Sequence, residues 1–139
     1  MNVKVKNTNP IKVIILDESQ LYRKAVKRYL ENDLQFKIIA NSSNGDSLIQ
    51  MSNIPNADVI IMDIQIPNLL NIYAVKEWVK LFPSTKIIAV TKYYDNVILK
   101  FLENVGFKGC IKKSDLTTQI KPALQSVLRG GYFFKEYNN

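Results

Sequence analysis

The stretch DVIIMDIQIPN, residues 58–68, decides the fold because it joins a buried strand to an aspartate at the strand's carboxyl end. Its apolar part, 59–62, is an almost unbroken run of β-branched residues, which is typical of a parallel strand buried on both faces. Similar short apolar runs occur elsewhere in the chain and predict further strands. They span residues 12–16, 36–40, 86–90 and 109–113.

The spacing of these runs predicts an α/β fold. Successive strands begin 24, 23, 27 and 23 residues apart, which leaves room for one helix after each strand. Amphipathic patterns fill these intervals and predict helices over residues 20–31, 46–51, 72–82, 95–105 and 119–129. Ser19 is the expected N-cap of the first helix. Five such units predict a doubly wound, five-stranded parallel sheet with strand order 2-1-3-4-5, as in flavodoxin-like folds.

Composition excludes several kinds of chemistry. The 139 residues contain no histidine and one cysteine, Cys110, so His/Cys zinc sites, Ser-His-Asp and Cys-His catalysis and an internal disulfide are excluded. The net charge of +7 comes mainly from scattered lysines, which favours solvated helix faces over a nucleic-acid site. Apolar runs stay well short of the roughly 18 residues of a membrane helix, so we expect a cytoplasmic protein without a signal peptide.

Polar side chains follow four of the predicted strands, at the sheet edge where parallel α/β folds bind ligands. They are Asp17 and Glu18 after the first strand, Asp63 after the third, Thr91 after the fourth and Lys113 at the end of the fifth. Clustered carboxylates repel one another unless a cation is bound, and oxygen ligands suit Mg²⁺. A carboxylate there can attack phosphorus, while Mg²⁺, a lysine and a threonine neutralise the phosphoryl oxygens.

Each of these residues alone would be read as a turn, cap or solvated residue, but the combination resembles a response regulator receiver domain. This is the CheY-like module of two-component signalling. The resemblance covers about residues 11–130, with 1–10 as an N-terminal extension and 131–139 as a C-terminal tail or linker start. The segments that carry it are ILDES, DVIIMDIQIPN, IIAVTKYYD and GFKGCIKKSD.

The resemblance implies a signalling switch rather than a metabolic enzyme. A histidine kinase or phosphotransfer protein would phosphorylate Asp63, with Thr91 and Lys113 completing the catalytic set. The implied Mg²⁺ ligands are Asp17, Glu18, Asp63 and the backbone carbonyl of Gln65. Phosphorylation would change a surface that binds a partner or effector, and the resemblance also allows a homodimer.

The segment LQSVLRGGYFF, residues 124–134, is similar to the junction between receiver and linker in LuxR/NarL-type regulators. The sequence itself contains no helix-turn-helix pattern. We therefore expect contact with DNA only through an effector domain that is absent from this chain.

Three positions and one loop depart from the family pattern: Glu18 replaces the usual aspartate, Lys92 a small residue, Cys110 the switch aromatic, and NLLNI a glycine-containing loop. Glu18, Lys92 and Cys110 give weight to one alternative, a pseudo-receiver that binds proteins without phosphorylation. The presence of Asp17, Asp63, Thr91 and Lys113 argues against it. A flavodoxin-like redox protein is a second alternative, although LDESQ lacks the phosphate loop that it needs. An aspartate-dependent phosphatase is a third, but Ser19 stands where its second aspartate would be.

Overall fold

The computed structural model describes residues 9–43, 54–64 and 69–135, which form an α/β sandwich with one central sheet. The strands in these ranges are β1 Ile11–Leu16, β2 Phe36–Ser42, β3 Val59–Asp63, β4 Lys86–Thr91, β5 Gly109–Lys112 and β6 Phe133–Phe134. The helices there are α1 Gln20–Glu31, α2 Leu69–Leu81, α3 Asn96–Val105 and α4 Leu116–Leu128. Short 3₁₀ turns cover Ile54–Asn56 and Lys113–Asp115. The helix predicted over 46–51 lies outside the described residues.

The sheet is parallel throughout, with strand order β2-β1-β3-β4-β5-β6. This confirms the predicted doubly wound fold and the order 2-1-3-4-5, and it adds a sixth strand. The added strand pairs Phe133 with Gly109 and Phe134 with Cys110. A Cβ atom at Gly109 would lie 3.2 Å from both Cβ and the carbonyl oxygen of Phe133, so glycine is what lets β6 approach this closely.

Two apolar layers cover the two faces of the sheet, as the nearly continuous β-branched runs predict. Along β1, Ile14 faces the layer under α2 and α3, whereas Val13 and Ile15 face the layer under α1 and α4. Burying each such side chain fully stabilises the fold by roughly 1.5–3 kcal/mol. The core strands are therefore rigid supports for whatever their carboxyl ends carry.

The helix termini follow their local sequence. Ser19 caps α1 as predicted, since its Oγ accepts a hydrogen bond from the amide of Tyr22 at 3.1 Å. α4 begins at Leu116, so Pro122 lies in the interior of this helix and not in its first turn, where proline is tolerated best. Among the described helices, none is long and apolar enough to cross a membrane.

Candidate functional site

The carboxyl ends of four strands bring the predicted site residues to one edge of the sheet. Asp17 directly follows β1, Asp63 ends β3, Thr91 ends β4 and Lys113 directly follows β5. Since β1, β3, β4 and β5 are neighbours in that order, the topology alone places these four residues side by side.

Lys113 joins the two carboxylates. Its Nζ donates hydrogen bonds to Oδ2 of Asp17 at 2.9 Å and to Oδ2 of Asp63 at 3.3 Å. The lysine side chain is 17% exposed, whereas those of Asp17 and Asp63 are 2% and 7% exposed. Both contacts are therefore largely shielded from water, and charge-assisted hydrogen bonds are stronger there than at the surface.

The pKa values follow from this arrangement. Burial and the neighbouring carboxylate of Asp17 raise the pKa of Asp63, and the positive charges of Lys113 and Lys92 only partly offset them. Burial acts to lower the pKa of Lys113, but the hydrogen bond to Asp17 and the charge of Asp63 outweigh it, so this pKa is raised. The site thus holds a protonated lysine between two carboxylates, one of which resists ionisation.

The backbone around Asp17 fixes its carboxylate. Oδ1 of Asp17 accepts a hydrogen bond from the amide of Ser19 at 2.8 Å, which leaves Oδ2 to Lys113. Arg23 donates to the carbonyl oxygens of Asp17 at 2.6 Å and Glu18 at 3.4 Å, and its Nε donates to Asn41 at 3.0 Å. Sequence reasoning missed this role of Arg23. The available signal was its position in the first turn of α1, the helix that follows the acidic pair.

Tyr22 is a second residue that sequence reasoning missed. Nζ of Lys113 lies 4.2 Å from the centroid of its ring, a cation–π distance. Its hydroxyl is buried and has no hydrogen-bond partner among the described residues. Burial and the charges of Asp17 and Asp63 raise the pKa of this hydroxyl. Only its place in the first turn of α1, three residues after the N-cap, could have pointed to it.

Thr91 is completely buried, and its hydroxyl is engaged by the loop that follows it. Oγ1 donates to the carbonyl of Tyr93 at 3.1 Å and accepts from the amide of Tyr93 at 3.0 Å. In the same loop, the hydroxyl of Tyr94 donates to the carbonyl of Lys135, just beyond β6. The loop thereby connects the site to the C-terminal edge of the sheet.

The donor set of the site fits Mg²⁺. Asp17 and Asp63 offer two hard oxygen donors, and Mg²⁺ in proteins takes one or two carboxylates and completes its shell with water. The Asp17 charge that raises the pKa of Asp63 is a repulsion that a cation would relieve. Glu18 is exposed, and Gln65 and Pro67 lie outside the described residues. Within the described ranges, no three Asp, Glu, Cys or His side chains are close enough to hold a metal together.

Comparison with known proteins agrees with this geometry. The family model "Response regulator receiver domain" matches residues 13–125. The curated relatives include the transcriptional regulatory protein DegU of Brevibacillus brevis, 28% identical over 133 residues, covering 96% of this chain and 56% of DegU. They also include the response regulator UvrY of Escherichia coli K12, 24% identical over 120 residues, covering 86% of this chain and 55% of UvrY. The chain thus spans about half the length of these relatives.

Solved structures show the same fold. The isolated REC domain of RcsB from Salmonella enterica serovar Typhimurium, in the presence of the phosphomimetic BeF₃⁻, is 26% identical with a TM-score of 0.76. That match covers 92% of this chain and 95% of the RcsB chain. A structure of two RcsB dimers bound to two parallel DNAs is 26% identical with a TM-score of 0.78, covering 92% of this chain and 65% of the RcsB chain.

Proposed function

Because the chain belongs to the response regulator receiver domain family, we propose that it is a phosphorylatable switch in which Asp63 accepts the phosphoryl group. The observation that carries the proposal is the position of Lys113 between Asp17 and Asp63. This arrangement places a nucleophilic carboxylate next to a cationic group that can neutralise an incoming phosphoryl oxygen. The family is regulatory, and the chemistry serves to switch the domain rather than to turn over a metabolite.

In the proposed reaction, a carboxylate oxygen of Asp63 attacks the phosphorus of a phosphohistidine or of a small acyl phosphate. The new O–P bond forms as the bond from phosphorus to the leaving nitrogen or oxygen breaks, and the leaving group keeps the electron pair. Lys113 and the hydroxyl of Thr91 then stabilise the phosphoryl oxygens. Mg²⁺, held by Asp17, Asp63 and, as the resemblance implies, Glu18 and the Gln65 carbonyl, would supply charge neutralisation when bound.

Lys113 also favours the ionised, nucleophilic form of Asp63. Attack requires the ionised form of Asp63, which burial and Asp17 disfavour. The positive charges of Lys113 and Lys92 act against that effect and lower the pKa of Asp63. Lys92, one of the departures from the family pattern, thereby supports the proposed chemistry electrostatically.

Switching begins at Thr91 in this proposal. To donate a hydrogen bond to a phosphoryl oxygen, its hydroxyl must give up the carbonyl of Tyr93. The loop of Lys92, Tyr93 and Tyr94 then moves, and Tyr94 carries the change to Lys135 and β6. The side chain of Cys110 is too short to do what the switch aromatic does in the family. In this proposal Phe134, which pairs with Cys110 from the neighbouring strand β6, takes that role.

The proposed phosphodonor is a histidine kinase or phosphotransfer protein in the cytoplasm. Dimers and DNA are features of the RcsB structure, and the matched part of such chains is about two thirds of their length. For this chain we propose that any DNA contact belongs to an effector domain beyond the residues matched here. Homodimerisation through the receiver domain is a secondary proposal that follows from the same relatives.

Metal-dependent labelling tests the proposal. Incubation with acetyl phosphate and Mg²⁺ should add one phosphoryl group by intact mass spectrometry, and a chelator should prevent it. A pseudo-receiver would stay unmodified under both conditions. In that case the domain would act through protein binding alone, and the proposed switch would be wrong.

A further inference from the structure

We propose that Tyr22 is a positioning residue that keeps the ammonium group of Lys113 at the phosphorylation site through the face of its ring. The inference rests on the proposed function and extends it to a residue outside the family motifs quoted above. Its basis is that, among the described residues, Nζ of Lys113 contacts Oδ2 of Asp17, Oδ2 of Asp63 and the Tyr22 ring.

These three contacts respond differently to phosphorylation. Once Asp63 carries a phosphoryl group, the negative charge that attracts Lys113 moves from the carboxylate to the phosphoryl oxygens of the acyl phosphate. The ring of Tyr22 carries no charge, so its attraction for the ammonium is the same before and after transfer. The ring can therefore hold Lys113 in place while its partner changes from a carboxylate to a phosphoryl oxygen.

A lysine needs such a restraint because its side chain has several freely rotating bonds. Ordering it costs conformational entropy, and a group that is already ordered loses less when the transition state forms. A cavity of about 140 Å³ lies beside the ring, lined among others by Tyr29, Lys113 and Leu116. Because Tyr22 and Lys113 both line this cavity, a smaller side chain at position 22 would enlarge it beside the lysine, and water would compete for the ammonium.

The ring, rather than the hydroxyl, is the active part of Tyr22. Within the part of the chain that the structure describes, its hydroxyl has no hydrogen-bond partner, and its raised pKa keeps it neutral. A buried hydroxyl without a partner destabilises the fold, so replacing it by the hydrogen of a phenylalanine ring should cost no stability. We therefore expect Tyr22→Phe to behave like the wild type and Tyr22→Leu to lose the effect.

Tyr29 provides a matched control. It lies on the same helix, and Nζ of Lys121 sits 5.2 Å from its ring centroid, but it stands two helical turns further from the N-terminus of α1. Tyr29→Leu therefore removes a similar tyrosine–lysine contact, together with the hydrogen bond from the Tyr29 hydroxyl to the carbonyl of Thr117 at 2.6 Å, but leaves in place the contacts of Lys113 with Asp17, Asp63 and the Tyr22 ring.

Two measurements test the inference. In the protein without Mg²⁺ or phosphodonor, NMR should show the ε-methylene protons of Lys113 shifted upfield by the ring, in the wild type and Tyr22→Phe but not in Tyr22→Leu. Labelling by acetyl phosphate with Mg²⁺ should be about fivefold slower in Tyr22→Leu, which corresponds to about 1 kcal/mol. Tyr22→Phe and Tyr29→Leu should be labelled at the wild-type rate. If Tyr22→Leu does not fold, Tyr22→Met takes its place.

The outcomes separate the two proposals. Equal labelling rates in the wild type and Tyr22→Leu, with the ring shift lost, would overturn the role of Tyr22 and leave the proposed function intact. A wild type that is not labelled at all would overturn the proposed function and this inference with it. Slowing of Tyr22→Phe as strongly as Tyr22→Leu would show that the hydroxyl, not the ring, is responsible, which also contradicts the inference.

Discussion

The Nζ atom of Lys113 lies 3.3 Å from Oδ2 of Asp63, although β4 separates the strands that carry them. Its contacts therefore span the carboxyl end of β4, the strand that ends at Thr91. This one contact ties together the ends of β3 and β5, and it places a positive charge at the centre of the candidate site. Its removal should affect stability and chemistry together.

Lys113→Met should lower the free energy of unfolding at pH 7 by about 2–4 kcal/mol, because it leaves two shielded carboxylates without a cation. Urea denaturation measures the change. Lys121→Met is the matched control, since Lys121 is more exposed and contacts Asp33 at 3.5 Å. That surface pair should contribute less than about 1 kcal/mol. Equal losses in the two variants would contradict the central position given to Lys113.

Asp63→Asn should stabilise the protein without metal at neutral pH, by about 4 °C in melting temperature if the gain is about 1 kcal/mol. The pKa of Asp63 is raised in the folded state, so folding favours its protonated form. The wild type therefore loses stability as the pH rises from the unfolded pKa through the raised folded pKa.

The variant lacks this titration, because asparagine keeps an acceptor for Lys113 without a charge. The stability difference between Asp63→Asn and the wild type should accordingly be small near pH 4 and grow toward pH 7. Thermal melts in a pH series measure it. A difference that is constant with pH would show that ionisation of Asp63 does not oppose folding.

The sequence predicts the fold and the residues of the site because both follow from the periodic pattern of apolar residues. The β-branched runs place Asp17, Asp63 and Thr91 at strand ends, and parallel strands bring their carboxyl ends to one edge. The contacts of Tyr22 and Arg23 could not be predicted in the same way. They depend on how α1 packs near the carboxyl end of β1, and no periodic pattern in the sequence indicates this packing.

The sixth strand illustrates the same limit. The residues GGYFF after α4 predict a helix end and a tail, since a two-residue strand is too short for a periodic signal. Its formation depends on Gly109, which leaves room for Phe133, a relationship between residues distant in the chain. The role of each site residue, and the limits of the domain at 11–130, stay predictions.

Tyr94→Phe should loosen β6, because it removes the hydrogen bond to the carbonyl of Lys135. Hydrogen exchange at the amide of Phe133, which donates to Lys108 at 2.9 Å, should become about fivefold faster, as expected from the loss of about 1 kcal/mol. Tyr93→Phe serves as the control, since Tyr93 is largely exposed.

Binding of beryllofluoride with Mg²⁺ tests whether switching proceeds from Thr91 through the loop of Lys92, Tyr93 and Tyr94. In the wild type, NMR amide shifts should be largest over residues 91–96 and at Lys113, and modest at Cys110. A response centred on Cys110, with 92–95 unchanged, would refute the proposed path through the loop.

The thiol of Cys110 should be inert in the folded protein. It is completely buried, and burial raises its pKa to about 12, so almost no thiolate exists at pH 8. A thiol-reactive reagent should modify it only as fast as the protein unfolds, whereas one thiol per chain should react at once in denaturant. Rapid modification of the folded protein would show that this edge of the sheet opens readily.

Mapping the phosphorylated residue tests the central claim most directly. After reaction with acetyl phosphate and Mg²⁺, borohydride reduction of the acyl phosphate should leave a permanent mass change at Asp63 in the peptide map. Asp58→Asn, which alters an aspartate beside the opposite end of β3, should be labelled like the wild type, and Asp63→Asn should not be labelled. Modification at any other residue, or undiminished labelling of Asp63→Asn, would contradict the account.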